Sequence, residues 1–247
     1  MPVRPLRALA GGAGRPDPAM GVFETLLVRD GEAVDLGAHL ARLESSVSDL
    51  YGRALPEDLA ARIADVAAEH PLQRLRVLAA ATGAVEVEGR PLDHLGEPEP
   101  VTLVPACLPG GLGAHKWRDR RLLSELERRA AGGVPLLVDL DGQVLEAAWA
   151  NVFVVEDKSL VTPPLDGRQL AGTVRARLLE TAPQAGLDPR EAPLTLERLT
   201  AADEVLLSSS IRGISPAALA DAPRRRFEAG AQLREALLGE RPLMEAR

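Results

Sequence analysis

Residues 142–175 read GQVLEAAWANVFVVEDKSLVTPPLDGRQLAGTVR, and the rest of the fold is organised around this stretch. The apolar runs at 144–145 and 152–155 are rich in β-branched residues, which predicts two strands joined by a tight reversal. The Pro and Gly residues of 163–167 end regular structure. Gly172 then opens a pattern of apolar residues at helical spacing, which predicts a helix.

Two features of this stretch point to a ligand. Glu146 is an acid inside an apolar run, and it must lie at an exposed edge or face a cation, because an unpaired buried charge is too costly. Gly172 places bare backbone at a helix start, where N–H groups favour an anion. An edge hairpin followed by an ordinary helix is the simpler alternative, and it needs no ligand.

The composition narrows the class of protein. The 247 residues are 46% hydrophobic and carry a formal net charge of −7, which is ordinary for an enzyme and argues against a nucleic-acid-binding surface. Cys107 is the only cysteine, so an intramolecular disulfide and a cysteine-based metal site are excluded. The chain has no apolar run long enough to span a bilayer and no signal-peptide core, so we expect a cytoplasmic protein without a membrane partner.

The N-terminal half predicts an α+β layer with helices on one face. Asp30-Gly31 is a strong hairpin turn signal between a strand at 21–29 and a return strand at 32–36. Arg42 lies beside the apolar stripe of the helix that follows, where it is either a solvated arginine or a ligand-binding one. The other elements predicted here are helices in 37–52 and from Pro56, and strands at 75–80 and 101–104.

The segment LPGGLG, residues 108–113, is the clearest linker in the chain. It predicts a small N-terminal domain of residues 1–107, a linker of residues 108–114 and a larger C-terminal domain of residues 115–247. The basic segment HKWRDRR then begins a helix with the wrong charge for the helix dipole, so an anion or nearby acids must offset it.

The C-terminal half also offers a second cluster of hydrogen-bond donors. Ser208-Ser209-Ser210 follows a predicted strand and either binds a phosphate or carboxylate or only caps the next turn. The charge run at 223–226 predicts a surface turn without a function. The other elements predicted are strands at 134–140 and 204–207, a short helix at 193–200 and a last helix that carries Leu233 and Leu237.

The order of several motifs, rather than any single one, identifies a family. GVFETLLVRDG, HLARL, HKWRDRR, LEAAWANVFVV, LVTPP, LAGTVR and DEVLLSSSIRGISP follow one another between Gly21 and about Pro216. In this order they resemble the class IV aminotransferases, the pyridoxal-phosphate enzymes that include branched-chain and D-amino-acid transaminases and aminodeoxychorismate lyases. The resemblance implies an α+β fold of two domains, a small N-terminal α/β domain and a larger C-terminal mixed α/β domain, with the cofactor in the cleft between them. It also implies a homodimer whose sites are completed by the partner subunit.

The resemblance further implies roles for individual residues around the cofactor pyridoxal 5'-phosphate. Lys116 would form the Schiff base with the aldehyde and act as the general base. Glu146 would bind the pyridine nitrogen, and Asn151 matches an asparagine behind the cofactor. The phosphate-binding groups implied are the side chain of Arg42, the backbone of Thr173 and Val174 after Gly172, and Ser209 and Ser210, which also contact the substrate carboxylate.

The basic residues after Lys116 bear on the reaction. Arg118, Arg120 and Arg121 would help to lower the pKa of Lys116 if they approach it. The lyases of this family carry Asn and Arg three and four positions after the lysine, where Asp119 and Arg120 stand. Branched-chain transaminases carry a tyrosine five positions after it, where Arg121 stands.

The resemblance therefore favours an aminodeoxychorismate-lyase-like enzyme, which releases 4-aminobenzoate and pyruvate in the folate pathway. The alternatives are an amino-acid transaminase of branched-chain or D-amino-acid type, a protein that binds the cofactor without turnover, and a plain structural domain. Ala81-Thr82-Gly83 lacks an arginine that many relatives carry after the strand at 75–80, so the contacts of the substrate carboxylate are not predicted.

Overall fold

The computed structural model describes residues 14–220, 222 and 227–239. Its N-terminal layer is a four-stranded antiparallel sheet in the order β2-β1-β3-β4. The elements of this layer are β1 (Val22–Arg29), β2 (Glu32–Ala33), α1 (Leu36–Tyr51), α2 (Leu59–Ala68), β3 (Leu72–Ala79) and β4 (Val85–Pro91).

Alternation along β1 decides which side chains meet the helices. Val22 and Leu26 pack against α1 and α2, in one cluster with Ile63. Burial of each such side chain contributes about 1.5–3 kcal/mol. Glu24 has the same parity and therefore points towards α1, whereas Phe23 lies on the opposite face of the sheet. An acid is thus buried on the packed side of a strand that reads as almost wholly apolar.

The second layer is a nine-stranded mixed sheet in the order β10-β9-β8-β12-β13-β5-β6-β7-β11. A short 3₁₀ helix precedes the first layer and another, Ala182–Ala185, follows α4. The elements of this layer are β5 (Val101–Cys107), α3 (Arg121–Arg129), β6 (Val134–Val138), β7 (Gln143–Ala147), β8 (Asn151–Glu156), β9 (Ser159–Thr162), α4 (Thr173–Thr181), β10 (Asp188–Glu191), β11 (Leu194–Thr195), α5 (Leu196–Ala201), β12 (Glu204–Ser209), β13 (Gly213–Leu219) and α6 (Ala229–Gly239).

The run VFVV of β8 is buried on both faces of the large sheet. Val152 and Val154 join one apolar cluster with Leu199. Phe153 joins another cluster on the opposite face, with Leu178 of α4. A central strand covered on both sides needs no polar alternation, which explains why this part of the sequence is continuously apolar.

The two strands of the opening stretch do not form an edge hairpin. β8 lies between β9 and β12, and β7 lies between β6 and β11, five places away in the strand order. In the part of the chain that the structure describes, the two strands are linked by the bridge between Ala147, at the end of β7, and Ala150, just before β8. The sheet therefore curls until β7 returns to β8, and the alternative of a simple edge hairpin is wrong, because both strands take their main partners from other parts of the chain.

The placement of β5 differs from the predicted division of the chain. β5 pairs in parallel with β13 and with β6 of the large sheet, although it lies within the predicted N-terminal domain of residues 1–107. The chain passes from one sheet to the other within residues 92–100. The predicted linker, 108–114, packs against the large sheet instead: a Cβ at Gly111 would meet the carbonyl oxygen of Arg168 at 2.0 Å, so glycine is needed there for close packing.

Other local differences have simple causes. The return strand predicted at 32–36 is only β2, because α1 already begins at Leu36. β4, β9, β10, β11 and β13 were not predicted; β9, β10 and β11 have only two to four residues, and β4 alternates over four residues only. The charge run at 223–226 lies outside the described residues. Among the described residues, no helix is both long and apolar enough to cross a membrane, and no cluster of acids, histidines or cysteines could hold a metal ion.

Candidate active site

Lys116 lies where the two layers meet. Its carbonyl oxygen accepts the N–H of Phe23 at 2.9 Å, and the N–H of Arg118 is donated to Gly21 at 3.0 Å. The amine Nζ lies 5.2 Å from the centre of the Phe23 ring. A segment that leads into the large sheet is thereby bonded to the start of β1, which fixes the lysine at the junction.

The pKa of Lys116 is lowered to about 8, mainly because burial disfavours its charged form. Arg42, Arg120 and Arg76 lower the pKa further, while Glu24 opposes them. Of the three arginines expected to approach Lys116, only Arg120 contributes in this way. Arg121 is turned to the carboxylate of Asp119, with Nη2 and Oδ2 2.6 Å apart.

Asp119 offsets the positive charges at the start of α3. Its Oδ1 accepts the backbone N–H of Arg121 at 3.1 Å, and its Oδ2 accepts the N–H of Asp17 at 3.0 Å. These bonds, with the Arg121 guanidinium, hold the pKa of Asp119 well below its usual range. The acid that offsets the basic start of α3 is therefore Asp119, which lies next to it in the sequence.

Glu146 is buried on β7, with 6% of its surface exposed. Burial raises its pKa to about 8, against the opposing effects of the Leu170 N–H and of the charges of Arg120, Arg42 and Lys116. The Leu170 N–H is donated to the carboxylate at 3.3 Å. A buried carboxylate with so little hydrogen bonding suits a ligand that presents a protonated ring nitrogen.

Asn151 and Gly172 fix the loop that leads into α4. The Asn151 side chain donates to the carbonyl oxygen of Leu170 at 2.8 Å. A Cβ at position 172 would lie 1.9 Å from Asn151 Oδ1, so only glycine allows this approach. Gly172 provides no side-chain cap for α4, and the N–H groups of Thr173 and Val174 have no acceptor within the helix. Such a helix start suits a phosphate group.

The end of β12 faces the same space. Ser208, Ser209 and Ser210 all line the cleft, and the Oγ atom of Ser208 is buried without a hydrogen-bond partner among the described residues. Capping of the next turn would use some of these hydroxyls, but it does not account for three serines that face the cleft.

Arg42 is only 11% exposed, so it is not a solvated arginine. Its Nε and Nη2 atoms donate to the two carboxylate oxygens of Glu24, each at 2.7 Å, and Nη1 donates to the carbonyl oxygen of Ala171 at 2.6 Å. These three bonds leave two of its five N–H groups for an anion. Arg42 thus clamps the residue that precedes Gly172.

Sequence reasoning missed Glu24 and His39. The pKa of Glu24 is lowered to about 2, because hydrogen bonds from His39 and Arg42 outweigh the effect of burial. The signal was available, since Glu24 is an acid inside an apolar run as Glu146 is. His39 stands in the motif HLARL, but its contacts depend on residues far along the chain.

One open cleft collects every residue for which a cofactor role was predicted. Leu112, Leu123 and Trp149 supply apolar lining beside Arg120. The predicted residues along its wall are Arg42, Lys116, Glu146, Asn151, Gly172, Thr173, Val174, Ser209 and Ser210.

These residues fit pyridoxal phosphate by their chemistry. The amine of Lys116 matches an aldehyde, the buried acid Glu146 matches a protonated ring nitrogen, and the open helix start at Thr173 matches a phosphate. The fold and the cleft thus define a two-layer α+β protein of the kind built to hold such a cofactor.

Comparisons with known proteins agree with this class. Residues 115–220 match the family model of amino-transferase class IV. The branched-chain-amino-acid aminotransferase of Escherichia coli (strain K12) is 32% identical over 117 residues, which are 47% of this chain and 37% of that protein. The aminodeoxychorismate lyase of Vibrio harveyi is 32% identical over 122 residues, 47% of this chain and 44% of that protein. The matches span less than half the length of either relative.

Solved structures extend the similarity to the whole chain. A protein of Legionella pneumophila, provisionally described as 4-amino-4-deoxychorismate lyase, superposes with a TM-score of 0.81 at 20% identity, over 98% of this chain and 100% of that one. A hypothetical aminotransferase of Mycobacterium tuberculosis in its PLP-bound form has a TM-score of 0.75 at 25% identity, over 90% of each chain. Residues 115–220 are therefore similar to the class IV aminotransferases, and the chain shares the fold of these solved structures.

Proposed function

We propose that this chain is a pyridoxal-phosphate-dependent enzyme in which Lys116 bonds to the cofactor and moves the substrate proton. The observation that carries the proposal is the meeting of Lys116 and Glu146 in one cleft with the open helix start at Thr173. Each of the three groups suits a different part of the same cofactor, and they come from separate parts of the chain.

Pyridoxal phosphate supplies an electron sink when its ring nitrogen is protonated. Glu146 would hold the proton at that nitrogen, because a nearby cation favours the ionised carboxylate that burial otherwise disfavours. The N–H groups of Thr173 and Val174 and the free N–H groups of Arg42 would bind the phosphate. Asn151 would keep the loop before α4 in place through Leu170.

Lys116 has the electrostatic setting of a general base. With a pKa of about 8, about one molecule in ten carries a neutral amine at pH 7, against about one in three thousand at the ordinary value of 10.5. A neutral amine can attack an aldehyde and can take a proton from the α-carbon of a bound amino acid.

We propose an aminodeoxychorismate-lyase-like reaction as the specific activity. Arg120 stands where the lyases of the family carry arginine, and it lines the cleft with Trp149, Leu112 and Leu123. A cationic side chain beside an apolar wall suits a ring that bears a carboxylate. The amino-acid transaminase activity is the second candidate, supported by the similarity to the branched-chain aminotransferase of E. coli.

Two measurements test the proposal. Borohydride treatment of the cofactor-loaded protein, followed by peptide mapping, should label Lys116, and a label on another residue would contradict the site. Incubation with aminodeoxychorismate should then release 4-aminobenzoate, which fluoresces. No release, together with rapid formation of keto acids from amino acids, would replace the lyase by a transaminase. A protein that stays yellow and unchanged with every donor would bind the cofactor without turnover.

The proposal includes a homodimer and a role in folate synthesis, as the family resemblance implies, and a cytoplasmic location. Light scattering after size-exclusion chromatography measures the first of these directly. A monomer that keeps full activity would contradict a site completed by the partner subunit.

A further inference from the structure

His39 is buried in α1, with 2% of its surface exposed. Its Nδ1 atom lies 2.7 Å from a carboxylate oxygen of Glu24. On the other side of the ring, Nε2 lies 3.3 Å from the hydroxyl of Thr173 and 3.4 Å from that of Ser210. The two hydroxyls are themselves 3.4 Å apart. The imidazole thus closes a small polar triangle with two side chains from distant parts of the sequence.

The orientation of the His39 ring is fixed by its contact with Glu24. The pKa of Glu24 is lowered to about 2, so at neutral pH its carboxylate only accepts hydrogen bonds, and Nδ1 must carry a proton and donate it. Arg42 holds the same carboxylate with two donors. His39 therefore presents Nε2 to the hydroxyls, and it cannot turn without breaking its bond to Glu24.

The two hydroxyls belong to the two segments that face the phosphate end of the cleft. Thr173 is the first residue of α4, and Ser210 follows the last residue of β12. Both line the cleft, whereas His39 does not. His39 instead lines a second cavity of about 500 Å³ on the other side, together with Val174 and Ser210. It stands in the wall between the two spaces.

We propose that His39 is a positioning residue, which ties α4 and the end of β12 together at the spacing that a phosphate group requires. This inference rests on the proposed function. Anion binding by backbone N–H groups depends on their positions to within about 0.5 Å, and Nε2 lies within hydrogen-bonding distance of one hydroxyl from each segment. The small N-terminal layer thereby contributes to phosphate binding through His39, which does not touch the ligand.

The substitution His39→Asn separates this role from the anchoring of Glu24. An asparagine amide can donate near the position of Nδ1 but does not reach the position of Nε2. We expect the affinity for pyridoxal 5'-phosphate to fall about tenfold, the effect of one lost buried hydrogen-bond partner, while the affinity for pyridoxal, which lacks the phosphate, changes less than about twofold. Absorbance titrations measure both, and the ³¹P resonance of the bound cofactor should move.

His94→Asn is the matched control, because this histidine is exposed and lines the second cavity but not the cleft. It should leave both affinities unchanged. Ser210→Ala and Thr173→Val remove the hydroxyls without touching the ring, so their effects should become smaller in the His39→Asn background. If His39→Asn does not fold, Ser210→Ala and Thr173→Val test the inference alone: each should weaken binding of pyridoxal 5'-phosphate more than binding of pyridoxal, and an unchanged affinity of both variants for the phosphate form would overturn it.

Equal losses for both ligands, an unchanged affinity for the phosphate form, or additive effects of the paired variants would overturn the positioning role. In all three cases the unsubstituted protein still binds the cofactor at Lys116, and the proposed function stands. Failure of the unsubstituted protein to bind the cofactor would instead overturn the proposed function and this inference with it.

Discussion

Glu24 and Glu146 are two acids in the same sequence setting with opposite electrostatic states. Each interrupts an apolar strand, and each is almost fully buried. Glu24 faces Arg42 and His39, and its pKa falls to about 2. Glu146 has one backbone N–H for a partner, and its pKa rises to about 8. A buried acid that is fully paired supports the fold, whereas one left with little pairing is the better candidate for a ligand.

The largest effect should come from Glu146→Gln. A neutral amide cannot stabilise a protonated ring nitrogen, so we expect turnover to fall about 100- to 1,000-fold, or about 3–4 kcal/mol of transition-state stabilisation. At pH 5, where Glu146 is protonated in the folded protein, the free energy of unfolding of the cofactor-free protein should change by less than about 1 kcal/mol, since no ion pair is lost. Steady-state kinetics and urea unfolding measure the two quantities. A Glu146→Gln variant that unfolds more easily but retains its turnover would mean that Glu146 supports the fold and not the reaction.

Glu24→Gln, unlike Glu146→Gln, should lower the free energy of unfolding. It leaves Arg42 without its carboxylate, and breaking a buried pair costs about 3 kcal/mol or more. Urea unfolding of the cofactor-free variant gives this value. Glu86→Gln, at an exposed position on β4 of the same sheet, is the control and should change stability by less than about 0.5 kcal/mol. Equal stability of the two variants would show that Glu24 contributes nothing as a paired acid.

The two acids should also give stability opposite slopes with pH. Glu24 has a folded pKa below the unfolded value, so its contribution is present above about pH 4.5 and is lost as the pH falls towards 2. Glu146 has a folded pKa above the unfolded value, so stability is greatest below about pH 4.5 and is lost as the pH rises towards 8.

Relative to the unsubstituted, cofactor-free protein, Glu146→Gln should therefore gain about 3–4 kcal/mol in the free energy of unfolding as the pH rises from 5 to 8. Unfolding curves across this range measure the difference. A constant difference would mean that Glu146 ionises in the folded protein as it does in the unfolded chain. Bound cofactor should remove the slope, because it gives the carboxylate a partner.

The smallest effect concerns the loop that supplies the hydrogen bond of Glu146. In Gly172→Ala the new Cβ meets Asn151 at 1.9 Å, which should displace Leu170 and cost about 1–2 kcal/mol. Gly37→Ala is the matched control, because nothing lies within 4 Å of a Cβ there and alanine suits the helix, so about 0.5 kcal/mol should be gained. Thermal unfolding distinguishes them, and a neutral Gly172→Ala would mean that the loop yields freely.

Many of the strands and helices could be predicted from short stretches of sequence. The strand at 21–29, the helix start at Gly172 and the central strand at 152–155 all follow from periodicity and turn residues over a few positions. The residues proposed to hold the cofactor were predicted through the order of the family motifs, and the structure brings them into one cleft. Strands such as β13 were missed, because Gly213–Leu219 has the small and Pro-containing sequence of an unremarkable loop.

The sequence by itself determined that acids interrupt β1 and β7, that Lys116 follows a Gly-rich segment and that a bare helix start lies at Gly172. Only the tertiary structure decided that one acid meets Arg42 and His39 while the other meets a single N–H. The physical reason is distance along the chain: parity places a side chain on one face of its strand, but the groups that face it come from elements far away in sequence. The charge of each acid, and with it the role of each, is therefore set by packing.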